Sequence, residues 1–111
     1  ALCLRPDEIA WAEPSSTGSI LHTADGSAPV RHSLTRLETQ LAPHGFVRTH
    51  RGCLVNVARI REVLGGASRD GEIVLDTGDR LPVSRRRRAH LDAAMAAPLG
   101  DEPAPLTTNP P

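Results

Sequence analysis

The chain of 111 residues contains no lysine and no tyrosine, and its aromatic residues are Trp11 and Phe46 alone. Modules that stack unpaired bases on aromatic side chains would lack their main contacts, so we expect no single-strand RNA module. All 13 basic residues are therefore arginines, and they balance 13 acidic residues to a formal net charge of zero. Taken as a sum, that charge argues against a polyanionic partner.

The two cysteines, Cys3 and Cys53, are too few for a disulfide framework, so we expect reduced thiols. His50 and Cys53 form one H-x-x-C pair, but a closed zinc site needs four ligands and no second short-spaced pair is present. We therefore expect no metal and no cofactor. No apolar run approaches the ~18 residues of a membrane span and no signal peptide opens the chain, which predicts a cytoplasmic protein without membrane contact.

The zero net charge conceals an uneven distribution along the chain. Residues 1–47 contain three arginines and five acidic residues, residues 48–91 contain ten and five, and residues 92–111 contain none and three. The net charges of these regions are −2, +5 and −3. A basic middle beside an acidic end indicates a polyanionic partner after all. The length fits one domain over 1–97, followed by a Pro-rich tail over 98–111 that we expect to be disordered.

Hydrophobic periodicity predicts a mainly β chain with two helices. Leu34, Leu37 and Leu41 recur at helical spacing after Ser33, which is a good N-cap, so a short helix is expected before Pro43. Alanine-rich composition predicts a second helix from Arg86 to about residue 97. Strands or apolar strand-like segments are expected at 9–13, 19–23, 29–32, 46–51, 54–57, 60–64, 72–76 and 80–84, and the expected core comprises Trp11, Phe46, Leu54, Val55, Ile60, Ile73 and Leu75.

Five segments in a fixed order carry a family resemblance. They are Ile9-Ala-Trp-Ala-Glu13, Leu34-x-x-Leu-Glu38-x-x-Leu41, Phe46-Val-Arg-Thr-His-Arg-Gly-Cys-Leu-Val-Asn56, Ile60 and Leu81-Pro-Val-Ser-Arg85. From residue 1 to about 97 the chain closely resembles the LytTR-type DNA-binding domain of bacterial transcriptional regulators. The resemblance implies an elongated antiparallel β-sandwich-like fold with one short helix between strands and a C-terminal helix. The family's first strand would be shortened or missing before Ala1.

The same resemblance implies a function and its partners. Members bind double-stranded DNA at promoter repeats, and loops rather than a recognition helix enter the major grooves. They usually follow a receiver domain of a two-component system or a membrane sensor, so an upstream domain of that kind is expected outside this chain. A second copy on an adjacent DNA site is also expected, and enzymatic activity is not.

The resemblance also assigns candidate DNA contacts. The family's first contact loop corresponds to 14–19, where short hydroxyl side chains favour phosphate contact over base reading. The family's HR pair corresponds to 50–51, and its last loop contact follows Ser84. The candidates from the resemblance are therefore Ser16, Thr17, Ser19, His50, Arg51 and Arg85.

Charge alone points to an overlapping set. Arg85 to Arg88 stand at the start of the last predicted helix, where unpaired N–H groups already make a positive end. An anion bound there would relieve the repulsion, since both N–H groups and guanidinium groups donate to phosphate. This adds Arg86, Arg87 and Arg88 to the candidates, and Arg48 joins them as a phosphate contact that shares a strand face with His50.

Each of these residues has a structural alternative. The arginine run could be a solvated face or a salt-bridged cap that uses Asp76, Asp79 or Asp92. Arg48 could form a salt bridge, and His50 could be satisfied by a neighbouring carbonyl. Arg59 and Arg61 are candidates for contact with the DNA backbone only. Asn56 is expected to cap the turn that follows it.

Two other functions fit parts of the sequence. Cys53 and Arg59 have the C-x5-R spacing of a tyrosine-phosphatase loop. The intervening Leu54, Val55 and Val57 resemble a packed strand rather than a phosphate-binding loop, which disfavours that interpretation. A basic protein-interaction module that meets an acidic partner is the second alternative.

Overall fold

The computed structural model describes residues 4–65 and 70–96. The strands are β1 (Ile9–Ser15), β2 (Gly18–Thr23), β3 (Gly26–Val30), β4 (Phe46–His50), β5 (Cys53–Asn56), β6 (Ile60–Leu64), β7 (Gly71–Leu75) and β8 (Arg80–Val83), and the helices are α1 (Leu34–Leu41) and α2 (Arg88–Ala96). Single helical turns lie at Pro6–Glu8, Ala42–His44, Val57–Arg59 and Arg85–Arg87. The mainly β class, with one helix between strands and one at the C-terminal side, is confirmed. The predicted Pro-rich tail over 98–111 lies outside the described residues.

The strands form two antiparallel sheets. One has the order β3-β2-β1-β5-β4 and the other the order β6-β7-β8. β1 therefore pairs with β5, although β2, β3, α1 and β4 lie between them in the chain. Trp11 lies opposite Val55 and Ala12 opposite Leu54. Pro82 lies on β8, an edge strand, where a residue that cannot donate to a sheet ladder is tolerated. In the described ranges, no helix is long and apolar enough to cross a bilayer.

The five-stranded sheet is covered on both faces, which produces two hydrophobic cores. Leu54 of β5 packs in the core under α1, whose residues Leu34, Leu37 and Leu41 are all buried. Val55, the next residue, faces the opposite core, which is built with the three-stranded sheet and α2. That second core contains Ala10, Cys53, Val55, Ile73, Leu75, Leu81, Val83 and Leu91. β5 is consequently buried along its entire length.

Helix α1 begins and ends where the sequence predicts. The Ser33 hydroxyl accepts a hydrogen bond from the Arg36 N–H at 3.1 Å, which satisfies one of the unpaired donors of the first turn. After α1, the turn that contains Pro43 closes on Gly45, which has a φ of 83°. Glycine adopts this left-handed conformation without the steric cost of a side chain, so the chain reverses here into β4.

Three sequence expectations need adjustment. The third strand spans Gly26–Val30 rather than 29–32, because the two-residue turn Ala24-Asp25 leads directly into it. The last helix begins at Arg88 rather than Arg86, because a separate single turn precedes it. Trp11 and Ile60 are only partly buried and pack against the second core, whereas the other five predicted core residues are buried.

Asn56 is a buried polar residue at the end of β5. Its Oδ1 accepts from the Ala58 N–H at 3.1 Å, which confirms the predicted cap. Its Nδ2 also donates to the Ile9 carbonyl at 2.9 Å, a link to the start of β1 that the sequence did not predict. One side chain thus holds the ends of two neighbouring strands, and removing it leaves buried groups without partners.

We expect Asn56→Ala to destabilise the fold by about 2–3 kcal/mol, the combined cost of a lost cap and an unpaired buried carbonyl. Urea unfolding followed by circular dichroism measures this change. Thr39→Ala, which removes an exposed hydroxyl on α1, is the control and should change stability by less than about 0.5 kcal/mol. Equal effects of the two substitutions would contradict the role assigned to Asn56.

Candidate nucleic-acid interface

Two turns lie side by side at one end of the five-stranded sheet. Ser16 and Thr17 connect β1 to β2, and Arg51 and Gly52 connect β4 to β5. Because β1 and β5 are antiparallel neighbours, the end of β1 adjoins the start of β5. The two turns approach closely, since a Cβ added to Gly52 would lie 4.0 Å from Pro14 Cδ.

A third segment is brought to the same end by contacts of Thr49. The Ser84 N–H donates to the Thr49 carbonyl at 2.8 Å, and the buried Thr49 hydroxyl donates to the Pro82 carbonyl at 3.0 Å. These bonds join the edge of one sheet to the edge of the other. Since Thr49 lies next to the β4–β5 turn, the chain that follows Ser84 enters beside that turn. The three predicted contact segments therefore converge.

The single turn Arg85–Arg87 is fixed at both of its ends. The Arg85 N–H donates to Asp70 Oδ1 at 2.9 Å, and the Arg87 N–H donates to the Ser84 carbonyl at 3.0 Å. The side chains of Arg85 and Arg86 are exposed and that of Arg87 is partly exposed. A shallow hollow of about 290 Å³ is lined by Arg86, Arg87 and His90. The sequence identified neither Asp70 nor His90 as part of this segment.

His50 shapes the β4–β5 turn through its ring. Its Nδ1 accepts from the Gly52 N–H at 3.2 Å, so the neutral imidazole carries its proton on Nε2. This contact differs from the predicted alternative, in which a carbonyl satisfies the ring. It leaves Nε2–H available as a donor from a half-buried side chain, while the adjacent Arg51 is exposed.

In the described ranges, the arginines of this surface lack the ion pairs that five other arginines form, as do Arg31, Arg36 and Arg61. Within residues 4–65 and 70–96, Arg51, Arg85, Arg86 and Arg87 take part in no ion pair. The arginines that do are Arg5, Arg48, Arg59, Arg80 and Arg88. Four unpaired guanidinium groups on adjacent turns produce a local positive potential, which repels cations and attracts polyanions.

Ser19 has a different role from the phosphate contact predicted for it. Its side chain lies in β2 and is fully buried, and its hydroxyl donates to the His32 carbonyl at 2.7 Å. A hydroxyl committed to an internal carbonyl is not available to a phosphate, so Ser19 leaves the set of candidate contacts. Ser16 and Thr17, which occupy the turn itself, are exposed and stay in the set.

Arg48 also has a structural role. Its side chain is 13% exposed and forms an ion pair with Glu38 on α1, with Nη1 donating to Oε1 at 3.1 Å. The predicted alternative of salt bridging therefore replaces the predicted phosphate contact. The expected shared face with His50 is wrong, because a register shift between the two residues pairs Arg48 with Leu54 but His50 with Cys53. Since Leu54 and Cys53 face different cores, Arg48 and His50 lie on opposite faces.

The run of four arginines divides into two parts. Arg88 is 17% exposed, donates through Nε to Asp92 at 2.9 Å and through Nη1 to the Gly65 carbonyl at 3.2 Å. This ion pair is the capping alternative expected for the run, and it removes Arg88 from the candidate contacts. Of the other two acids weighed for that cap, Asp76 pairs with Arg59 and Asp79 accepts from Thr77. Arg85, Arg86 and Arg87 stay in the set.

A network on β1 and β2 braces the base of the first turn. The Glu13 carboxylate lies 2.6 Å from His22 Nε2, and the Trp11 ring stacks on the His22 ring with centroids 4.3 Å apart. These contacts cross between the two strands at the paired residues Trp11 and His22, four residues before the end of β1. Sequence reasoning missed His22 here, although the one-for-one register of a tight hairpin could have placed it opposite Trp11.

The geometry does not support the phosphatase alternative. Cys53 is buried in β5, and Arg59 is held away by bonds to the Asp7 carbonyl and to Asp76. Burial, together with the Glu13 carboxylate, raises the pKa of the Cys53 thiol from 9.0 to about 11. A nucleophilic cysteine needs the opposite shift. Because the folded pKa is the higher one, the neutral thiol stabilises the fold below about pH 9, and this contribution is lost as the pH rises toward 11.

In a Cys3→Ser variant, which leaves one thiol, we expect iodoacetamide at pH 8 to alkylate native Cys53 at least about 100-fold more slowly than the urea-unfolded chain. A pKa two units higher lowers the thiolate fraction by that factor. Mass spectrometry of timed samples measures both rates. A native rate equal to the unfolded rate would show that the thiol is neither buried nor shifted.

The fold and this surface define a class of nucleic-acid-binding domain that presents basic side chains on turns of a β scaffold. The chain belongs to the LytTr DNA-binding domain family, since the family's model matches residues 2–96. It is 32% identical over 90 residues to the CO-responsive transcriptional regulator RcoM of Rhodospirillum rubrum. That match covers 79% of this chain but 38% of the regulator. The fold is similar to a LytTr DNA-binding domain from Bacillus cereus, with a TM-score of 0.75, 21% identity, and 86% and 88% of the two chains covered.

Proposed function

We propose that this DNA-binding domain recognises a specific duplex sequence through the three converging turns. The observation that carries the proposal is the placement of four unpaired arginines, Arg51, Arg85, Arg86 and Arg87, on adjacent turns of one end. Arginine is the side chain best suited to both guanine edges and phosphates. The family assignment supports DNA as the polyanion.

The spacing of the turns suits a major groove. Neighbouring strands lie about 4.8 Å apart, so the centres of the β1–β2 and β4–β5 turns, two strand spacings apart, are separated by about 10 Å. The major groove of B-form DNA is about 12 Å wide. Narrow turns at the end of a sheet can therefore enter a groove without a recognition helix.

Roles follow from exposure and donor geometry. Arg51 and Arg85 each offer a guanidinium group that can donate two bonds to guanine O6 and N7. His50 supplies the Nε2–H donor described above to a base acceptor or a phosphate. Arg86 and Arg87, beside the hollow that they line with His90, suit phosphate oxygens, and the hydroxyls of Ser16 and Thr17 suit phosphates at the other side of the surface.

The chain spans about 38% of the length of the curated relative that it matches. We propose that it is the output domain of a bacterial transcriptional regulator that acts in the cytoplasm, and that a receiver or sensor domain controls it. A second copy on an adjacent promoter repeat would double the contact area. Measurement of the number of chains bound to one-repeat and two-repeat duplexes tests that part of the proposal.

Salt dependence tests the electrostatic part. Four cations neutralise at most four phosphates, and two that read bases instead would leave two. We therefore expect log K to fall against log salt with a slope between about −2 and −4. Fluorescence anisotropy of a labelled duplex, measured from about 50 mM to about 300 mM salt, gives the slope. A flat response would contradict DNA binding by this surface.

Single substitutions test the individual roles. Arg85→Ala should lower affinity for the selected site by about 1–3 kcal/mol and relax specificity at one base pair. Arg86→Ala should weaken all duplexes alike and reduce the magnitude of the salt slope by about 0.9. Arg36→Ala is the control, because Arg36 is an exposed arginine on α1 and is not among the candidate contacts. Selection from random duplexes supplies the site, and anisotropy supplies the affinities.

The protein-interaction alternative predicts a different result. A basic module for an acidic protein would capture its partner after nuclease treatment and would bind duplexes without sequence preference. Recovery of a sequence motif by selection, followed by its loss in Arg85→Ala, would decide for specific DNA binding.

A further inference from the structure

Arg48 connects helix α1 to the main chain of the β4–β5 turn. Its Nη1 donates to Glu38 Oε1 at 3.1 Å, and its Nη2 donates to the Arg51 carbonyl. Its Nε is buried and has no acceptor within residues 4–65 and 70–96. The guanidinium group is therefore directed inward, with Nη1 bonded to the helix and Nη2 bonded to the turn.

The contact with Arg51 fixes the turn that presents two of the proposed reading residues. The register shift between Arg48 and His50 interrupts the regular ladder of β4 just before the turn. Side-chain bonds replace it, with Arg48 holding the Arg51 carbonyl and His50 Nδ1 accepting from the Gly52 N–H. The orientation of the peptide after Arg51 thus depends on where the Arg48 guanidinium group is held.

Glu38 is positioned by the core under α1. It follows Leu37, which is buried, and the helix is anchored by Leu34 and Leu41 as well. Its side chain is 40% exposed, in contrast to the 13% of Arg48. Without the carboxylate, a nearly buried cation would lose its only charged partner in the described part of the chain, and it would gain stability by turning toward solvent and releasing the turn.

We propose that Glu38 and Arg48 form a positioning pair that sets DNA sequence preference by fixing the β4–β5 turn, and that neither contacts DNA. The inference rests on the proposed function of that turn. It makes a prediction opposite in sign to simple electrostatics, because removing an acidic residue near a DNA-binding surface ordinarily strengthens binding.

The first test compares two substitutions that each remove one negative charge. Glu38→Gln should lower affinity for the selected duplex by roughly 5- to 10-fold, the low end of what one base contact contributes, while affinity for a random duplex stays equal or rises. The matched control is Glu62→Gln, since Glu62 is exposed on β6 and has no ion pair in the described ranges. Glu62→Gln should leave the ratio of the two affinities unchanged.

The second test separates positioning from phosphate contact at Arg48. Arg48→Gln should reduce the ratio of selected to random affinity while the salt slope keeps its wild-type value. A direct phosphate contact would instead reduce the magnitude of the slope by about 0.9 and weaken both duplexes alike. Partial unfolding would lower both affinities by the same factor and leave their ratio unchanged, so the ratio reports on the turn and not on the amount of folded protein.

The outcomes are distinct. A Glu38→Gln variant that binds the selected duplex as tightly as Glu62→Gln, or an Arg48→Gln variant with a reduced slope, would overturn the positioning pair while leaving the proposed function intact. A wild-type chain without sequence preference would overturn the proposed function itself. Circular dichroism and thermal melting of each variant confirm that the comparisons involve folded protein.

Discussion

The candidate surface depends on the junction between the two sheets at Thr49. This residue is fully buried, and its carbonyl and hydroxyl bond to Ser84 and Pro82 across the sheet edges. Buried polar groups are costly unless paired, so the two sheets cannot separate here without leaving donors and acceptors unsatisfied. The junction brings a turn near the end of the chain beside a turn in its middle. The second hydrophobic core, which contains Val55 and Leu91, also packs the two sheets and α2 together.

The arginines are divided between building the domain and facing outward. Arg48 and Arg88 are nearly buried and use carboxylates and carbonyls of their own chain. Arg85 and Arg86 are exposed and, within the described ranges, unpaired. Exposed ion pairs contribute little to stability, whereas a buried cation depends strongly on its partner. A net charge of zero is therefore compatible with DNA binding, because five of the acidic residues pair with arginines outside the exposed basic turns.

Local sequence patterns predicted the elements well because they depend on short-range physics. The stripe of Leu34, Leu37 and Leu41 and the cap at Ser33 are visible in nine residues, and the structure contains both. The partners of arginines could not be predicted in the same way. Whether Arg48 faces Glu38 depends on a register shift in β4 and on the packing of α1, and neither leaves a periodic signal. Ser19 illustrates the same limit, since its burial depends on the path of the chain thirteen residues later, at His32.

The pairing of β1 with β5 also determines when the surface comes into existence. Trp11 and Val55 are neighbours in the sheet but lie far apart in the chain, so their pairing closes a long loop at a cost in chain entropy. β5 contributes buried residues to both cores, so each core is complete only when β5 is in place. The arginines of the turns are present in any fragment, but their arrangement exists only after the whole domain has folded. A nascent or partly folded chain would carry the same charges without the shape that selects among DNA sequences.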